Sequence, residues 1–346
     1  MTPTPMAGLR VRTWRSKCSV RRKARPQWTQ MRAFAPRPAF WGDGDGISDS
    51  ESLWRNGGEK WTFGEELEEE QLRRAGGYSN GQAVTPIAPL YAYRLHRIGA
   101  AVAKAFAAAG CERIAITDLN ETTLEQTKNA VAAAHPHTQL LVHSGNVADD
   151  QFADLFMNKV VQYFGRVDYA VNCAGVLGQP LRSVETSLEE FDRLNSINYR
   201  GCWLSSRAQL RQMVKQDALS SHDPSRPPQR GAIVNVASQL GLVGRPNAPA
   251  YCASKSAVIG MTRADAIDYS KDDIRVNCVC PGVIETPMIM EKAELREAIT
   301  PAAETTPMKR MGKPAEIADA VLFLCSTQAS FVQGHAMVVD GGYITV

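Results

Sequence analysis

The sequence predicts an α/β protein built on one doubly wound parallel sheet. From residue 98 onward, short apolar segments alternate with segments of helical periodicity, as in repeated strand–helix–strand units. The apolar segments are hydrophobic almost throughout, which is typical of a sheet that helices cover on both faces. Polar residues and glycines directly follow several of these segments, at the edge where open parallel sheets bind ligands.

The predicted elements follow one another in regular order, and right-handed crossovers are expected between the strands. Asn120 precedes one of the helices as a candidate N-cap. We predict strands over 113–117, 138–143, 167–171, 232–237, 274–279 and 335–339, helices over 98–110, 121–134, 149–164, 187–217, 250–269 and 314–326, and a polar loop over 218–230.

Composition excludes several classes of protein. The chain has 346 residues, of which 22% are charged and 44% are hydrophobic, as in a globular protein. Its mean hydropathy is −0.25, and it contains no unbroken apolar run of 18 residues. An integral membrane protein and a membrane partner are therefore not expected.

Charge is distributed unevenly along the chain. Residues 1–42 hold ten bases and no acid, residues 43–82 hold ten acids and four bases, and residues 83–346 have a net charge of −1. We expect residues 1–82 to be a disordered or wrongly assigned extension and residues 83–346 to form a single domain. The near-neutral domain gives no electrostatic reason to expect nucleic acid, although a nucleic-acid role for the basic segment is an alternative.

The eight cysteines form no C-x-x-C pair and are typical of a reducing compartment. We therefore predict a cytoplasmic protein, with a mitochondrial transit peptide in the basic segment as the alternative. Cys278 and Cys280 are expected to point to opposite faces of a strand, so no metal site is predicted.

Tyr251 and Lys255 are the first candidates for chemistry. They are four residues apart at the start of a predicted helix and therefore share one face of it. A phenol ionises near pH 10, and a nearby ammonium favours the phenolate, which can then exchange a proton with an alcohol or carbonyl oxygen. Ser238, at the end of a predicted strand, could hydrogen-bond the same oxygen. Such a spacing also occurs by chance in surface helices.

The surrounding motifs resemble the short-chain dehydrogenase/reductase family, of the secondary-alcohol dehydrogenase type. The residues that carry this resemblance occur in the family's order along roughly 97–346: N-C-A-G at 172–175, Asn198 in I-N-Y-R-G, Ser238, Tyr251, Lys255 and P-G-V-I-E-T at 281–286. The resemblance implies a Rossmann sheet and an NAD(P)-dependent oxidoreductase that interconverts a secondary alcohol and a ketone.

By this resemblance Ser238, Tyr251, Lys255 and Asn198 form a catalytic tetrad. Tyr251 exchanges the proton, Lys255 favours its phenolate and holds the nicotinamide ribose, Ser238 polarises the substrate oxygen, and Asn198 positions a water. The residues that would bind the cofactor are Ile98, Gly99, Asp118, Asn146, Val147, Asn172, Ala174, Gly175, Tyr251, Lys255, Pro281, Gly282, Ile284 and Thr286. The resemblance also implies a homodimer or homotetramer formed by the helices 187–217 and 250–269, and a segment around 287–312 that closes over the substrate.

Asp118 favours NAD over NADP. A carboxylate at the end of this strand would accept a hydrogen bond from the ribose 2′-hydroxyl and repel a 2′-phosphate, and no arginine follows it. A simple turn role for Asp118 is compatible with either cofactor. Asn146 and Val147 stand where the family usually has Asp–Val.

The main departure from the family is the phosphate-binding loop. In its T-G-x-x-x-G-x-G pattern, Ala92, Tyr93 and Arg97 replace the threonine and the first two glycines, and only Gly99 remains. Pro86 and Pro89 are unfavourable in the central strand that should precede this loop. Either the site is altered, as in a non-catalytic binding protein, or residues up to about 97 derive from an incorrect gene assignment. The abrupt change at Ile98 favours the second explanation.

Overall fold

The computed structural model describes residues 98–221, 223–286 and 300–345, and the backbone of residues 87–91. These residues contain a parallel sheet of seven strands in the order β3-β2-β1-β4-β5-β6-β7. The strand order reverses between β1 and β4, which is the arrangement of a doubly wound Rossmann sheet. The predicted fold class is confirmed.

The helices and strands agree closely with the predicted ones. The strands are β1 (Ile87–Tyr91), β2 (Arg113–Thr117), β3 (Gln139–Val142), β4 (Tyr169–Asn172), β5 (Gly231–Val236), β6 (Ile274–Pro281) and β7 (Ala336–Val339). The helices are α1 (Ile98–Ala108), α2 (Glu121–Ala134), α3 (Phe152–Phe164), α4 (Leu188–Asn195), α5 (Cys202–Met213), α6 (Pro249–Tyr269) and α7 (Pro314–Cys325). Asn120 caps α2 as expected, because its side chain accepts a hydrogen bond from the Thr123 amide.

The predicted helix 187–217 is divided in the structure. A π-helical turn, Ser196–Gly201, separates α4 from α5. Such turns insert one extra residue into a helix and often occur at functional sites. Helical periodicity alone does not reveal this insertion, because the apolar spacing on either side of it remains helical.

Strand β1 forms although its sequence was expected to encode it poorly. Pro89 pairs with Ala115 of β2, and the strand lies inside the sheet, between β2 and β4. A proline has no amide hydrogen to donate, and the pairing of β1 with β4 covers only Leu90 and Tyr91. The expected extension 1–82, the replaced residues 92, 93 and 97, and the domain boundary at 82/83 lie outside the described residues, so these remain predictions.

Two apolar layers cover the sheet. In β2, Ile114 and Ile116 face a core built with α1 and α7, whereas Ala115 faces the core built with α3 and α5. Every residue of β4, β5 and β6 is buried, which agrees with the continuous apolar character of their sequences. These layers fix the strand ends from which the polar residues of the site extend.

The expectation for Cys278 and Cys280 was wrong. Both side chains belong to one buried cluster that also contains Val258 and Ile259 of α6. Side chains in a strand alternate with a period of two, so residues two apart share a face. The seven cysteines in the described ranges are free thiols.

None of the helices in the described ranges combines the length and the apolar character that crossing a membrane requires.

Phe156 and Leu155 test which face of α3 supports the fold. Phe156 is fully buried, whereas its neighbour Leu155 is 54% exposed. Phe156→Ala is expected to lower the free energy of unfolding by about 3–5 kcal/mol, because it leaves a cavity in the core. Leu155→Ala should change it by only about 0.5 kcal/mol. Denaturant unfolding measures both, and equal losses would show that α3 packs differently.

Candidate active site

The predicted site residues lie at one edge of the sheet. Asp118 directly follows β2, Asn172 ends β4, and Pro281 ends β6. Asn146, Ala174, Gly175, Ser238 and Gly282 follow their strands within a few residues. Because all seven strands are parallel, their carboxyl ends form a single crevice. The topology therefore brings together the residues that the motifs singled out.

Tyr251 and Lys255 lie on the first two turns of α6. Tyr251 is partly exposed, whereas Lys255 is only 3% exposed. The Lys255 Nζ donates a hydrogen bond of 2.8 Å to the carbonyl oxygen of Val236, the last residue of β5. No other acceptor among the described residues bonds this ammonium, which has three hydrogens to donate. Its remaining donors are therefore available to a ligand in the crevice.

Ser238 lies two residues beyond the carbonyl that Lys255 contacts. Its side chain is buried, and its Oγ accepts a hydrogen bond of 3.1 Å from the Leu240 amide, which caps the short 3₁₀ turn Gln239–Gly241. Because the oxygen acts as an acceptor there, its own hydrogen remains available to a substrate oxygen. Within the described residues, no hydrogen bond joins the Tyr251 hydroxyl directly to Ser238 or Lys255.

Asn198 is fully buried in the π-helical turn. Its Oδ1 accepts a hydrogen bond of 2.7 Å from the Val176 amide, and its Nδ2 donates to the Val176 carbonyl at 3.0 Å and to Ser254 Oγ at 3.1 Å. These bonds connect the loop after β4 to α6, next to Lys255. The side chain thereby fixes the walls around the ammonium.

Gly175, in the loop after β4, lies close to Lys255. A Cβ at this position would lie 3.1 Å from Lys255 Nζ and 3.5 Å from Asn198 Oδ1. The glycine is therefore explained by lack of space rather than by an unusual backbone angle. Lys255 and Asn198 line the same small space beside this loop.

The neighbouring thiols do not provide an alternative nucleophile. Burial raises the pKa of Cys173 to about 12, although the Lys255 ammonium acts in the opposite direction. Burial likewise raises the pKa of Cys202 to about 12. Both thiols therefore stay protonated at neutral pH, and only a thiolate is strongly nucleophilic.

The other half of the crevice has features that fit a dinucleotide. The Asp118 side chain is fully buried, and its Oδ1 accepts a hydrogen bond of 2.8 Å from the Asn120 amide. This turn role was one of the two interpretations of Asp118. Helix α1, which begins at Ile98, contacts β2, the strand that Asp118 follows. The N-terminus of a helix favours the binding of a phosphate group.

The remaining cofactor candidates occupy different environments. Asn146 is exposed, and its Oδ1 accepts a hydrogen bond from the Ala148 amide, whereas Val147 is buried against Ala174. The backbone of Val283 and Glu285 bonds to Gly312, which fixes the segment that carries Ile284 and Thr286. Of the segment 287–312, residues 287–299 lie outside the described residues.

A shallow pocket adjoins Tyr251, and sequence reasoning missed most of its wall. Its lining residues are Leu177, Gly178, Gln179, Leu181, Thr186, Glu190, Leu194, Arg245, Ala248, Pro249, Ala250 and Tyr251. One signal was present in the sequence, since Arg245 is the single charged residue between Ser238 and Tyr251. Its position relative to α4 depends on the tertiary fold.

Comparison with known proteins agrees with this geometry. Residues 94–344 match the family model described as enoyl-(acyl carrier protein) reductase. The 2-(R)-hydroxypropyl-CoM dehydrogenase of Xanthobacter autotrophicus is 38% identical over 253 residues, which cover 72% of this chain and 94% of that protein.

Two solved structures show the same architecture. Levodione reductase superposes with a TM-score of 0.69 at 30% identity, over 77% of this chain and all of that one. ElxO with NADP bound superposes with a TM-score of 0.66 at 27% identity, over 75% of this chain and all of that one. The relatives bear dehydrogenase and reductase names, so a binding protein without turnover is not favoured.

Gly175→Ala tests the close approach to Lys255. The added methyl group should displace the ammonium and reduce turnover by about 10- to 100-fold, because small displacements of catalytic groups are costly. Gly260, on α6, has open space around its Cα, and Gly260→Ala should leave turnover unchanged while stabilising the helix. Steady-state kinetics and melting temperatures of both variants check this, and unimpaired turnover in Gly175→Ala would contradict the geometry.

Proposed function

This chain belongs to the short-chain dehydrogenase/reductase family of NAD(P)-binding oxidoreductases, and we propose that it interconverts a secondary alcohol and a ketone, with Tyr251 as the acid–base residue. The observation that carries this proposal is the buried Lys255 ammonium, one turn from Tyr251, which has a single acceptor among the described residues. When bound, the nicotinamide cofactor supplies or accepts the hydride.

Lys255 acts by charge and by its free donors. Its ammonium lies one helical turn from Tyr251 on α6, and we propose that it attracts the negative charge that develops on the Tyr251 oxygen as the proton leaves. Tyr251 then gives its hydroxyl proton to the oxygen of a ketone during reduction and takes the proton of an alcohol during oxidation. The remaining Nζ hydrogens would bind the ribose hydroxyls of the cofactor.

Ser238 and Asn198 orient the reacting groups. The Ser238 hydroxyl would donate its hydrogen to the substrate oxygen, which polarises a carbonyl. Asn198 holds the loop at Val176 and the Ser254 side chain on either side of Lys255. We propose that this arrangement also positions a water for proton exchange with Lys255.

We propose NAD as the preferred cofactor. The buried Asp118 carboxylate would accept a hydrogen bond from the ribose 2′-hydroxyl and would repel a 2′-phosphate. The other proposed cofactor contacts are Ile98, Gly99, Asn146, Val147, Asn172, Ala174, Gly175, Pro281, Gly282, Ile284 and Thr286.

We further propose a cytoplasmic homodimer or homotetramer. Trp203 on α5 and Ile267 on α6 are 40% and 78% exposed, and large apolar side chains on these two helices favour association with a second copy.

Tyr251→Phe is the direct test of the acid–base role. The variant retains the ring but cannot exchange a proton, so turnover should fall by about 10²- to 10⁴-fold. Tyr163→Phe, at an exposed position on α3, should have no effect. Reduction of ketones with NADH and NADPH is followed by absorbance.

The same assay is repeated with Ala92→Thr, Tyr93→Gly and Arg97→Gly combined, which restores the family's glycine pattern. We expect this variant to bind the cofactor more tightly. Absence of turnover in both backgrounds would contradict the proposed function.

Asp118→Asn tests the cofactor preference. The amide oxygen can still accept from the Asn120 amide, while the charge that repels a 2′-phosphate is removed. The ratio of kcat/KM with NADP to that with NAD should rise about tenfold, which corresponds to about 1.4 kcal/mol. Asp223→Asn is the matched control, because Asp223 accepts the same type of turn hydrogen bond in the distant loop before β5. An unchanged ratio in Asp118→Asn would exclude this role.

A further inference from the structure

The pocket beside Tyr251 is lined by apolar residues and by two charged side chains. Leu177, Leu181 and Leu194 contribute its apolar lining together with Pro249. The two charged residues are Glu190 on α4 and Arg245 on the loop between β5 and α6. A substrate whose oxygen reaches Tyr251 would therefore place its remaining atoms against this wall.

The negative charge of Glu190 is already neutralised. Arg193 donates two hydrogen bonds to its carboxylate, of 2.7 Å from Nε and 2.9 Å from Nη2, and the Gln179 amide adds a third contact at 3.3 Å. The bonds from Arg193 hold the pKa of Glu190 below its usual value. Glu190 therefore stays ionised within its own ion pair and is not available to balance a second cation.

Arg245 has no such partner among the residues that the structure describes. No acceptor within the described residues bonds its guanidinium, although the side chain is partly buried in the pocket wall. By contrast, Arg226 and Arg275 each donate several hydrogen bonds to carbonyl or side-chain oxygens. A guanidinium carries five donors in a planar fork that matches a carboxylate. The described part of the pocket thus has one uncompensated positive charge.

The backbone holds Arg245 in place on the loop. Pro246 restricts the preceding residue to extended conformations, and Asn247 adopts a left-handed conformation with φ of 57°. The two residues form a turn that leads directly into Pro249, the first residue of α6. Arg245 is therefore fixed relative to the start of the helix that carries Tyr251.

We propose that Arg245 is a specificity residue and that the preferred substrates are ketones or alcohols carrying an anionic group, such as a carboxylate, on a short apolar chain. This inference rests on the proposed function, because it assigns the substrate class of that same site. The apolar lining would contact the chain, and the guanidinium would bind the anion through charge-assisted hydrogen bonds.

The test compares keto acids with their neutral counterparts. The probes are 4-oxopentanoate, 5-oxohexanoate and 6-oxoheptanoate, each paired with the amide of the same acid, so that the chain length that reaches Arg245 is found by experiment. For the best-fitting length, kcat/KM should be about tenfold or more higher for the acid than for the amide, as expected of a charge-assisted bond.

Three variants separate charge from structure. In Arg245→Gln the ratio of acid to amide should fall to about one, and Arg245→Lys should retain part of the preference because it keeps the charge without the fork. Arg113→Gln, which removes a partly exposed arginine from the start of β2 at the opposite edge of the sheet, should keep the wild-type ratio. A wild-type ratio near one, or a ratio unchanged in Arg245→Gln, would overturn the proposal.

Binding measurements keep this inference distinct from the proposed function. Calorimetric titration of the acids and amides into the full chain with oxidised cofactor requires no turnover, and it is repeated with Tyr251→Phe. If turnover is absent but the acids bind more tightly through Arg245, the proposed reaction fails and the anion site stands. If ketones are reduced with no preference for the acids in binding or in rate, the anion site fails and the reaction stands.

Discussion

The site depends on one hydrogen bond, from the buried Lys255 ammonium to the Val236 carbonyl at the end of β5. Burying a charge costs several kcal/mol unless hydrogen bonds and nearby charges compensate for it, so the surroundings of this ammonium are strongly constrained. The bond fixes the second turn of α6 to the strand that leads to Ser238. It thereby determines the position of Tyr251 on the first turn of the same helix. Gly175 and Asn198 lie close to the ammonium and leave little space around it.

A buried polar network beneath the site holds these elements in register. Asn172 on β4 exchanges two hydrogen bonds with Gln209 on α5, of 3.0 and 2.8 Å, and donates a third, of 2.9 Å, to Asn235 on β5. Asn235 in turn donates to Thr262 on α6 at 3.0 Å. Each of the four side chains is almost fully buried, so the loss of any one would leave an unpaired polar group. The network therefore ties together the two strands and two helices that carry the site.

The two halves of the crevice differ in how well their sequences match the family. The half around Tyr251 and Lys255 retains each residue of the tetrad that the family resemblance implies. Ser238, Asn198 and Lys255 are buried and hydrogen-bonded, whereas Tyr251 is partly exposed. In the half that would hold the phosphates, β1 forms in spite of Pro89, because neighbouring strands provide pairing on both sides. Residues 92–97, which follow this strand in the sequence, contain no glycine, the residue type that the family's phosphate-binding pattern uses there.

The sequence by itself determined the strand and helix order, the sheet class and the location of the candidate site residues near the carboxyl ends of the strands. Apolar periodicity is a local property that can be followed along a short stretch of sequence. The binding of ligands at the carboxyl ends of the strands is a general property of open parallel sheets. It did not determine the π-helical turn at Asn198, the common face of Cys278 and Cys280, or the pocket between α4 and Arg245. The turn and the pocket depend on contacts between residues far apart in the chain, which only the folded structure brings together. The common face of the two cysteines needed no tertiary structure, because residues two apart in a strand share a face; the prediction of opposite faces was an error.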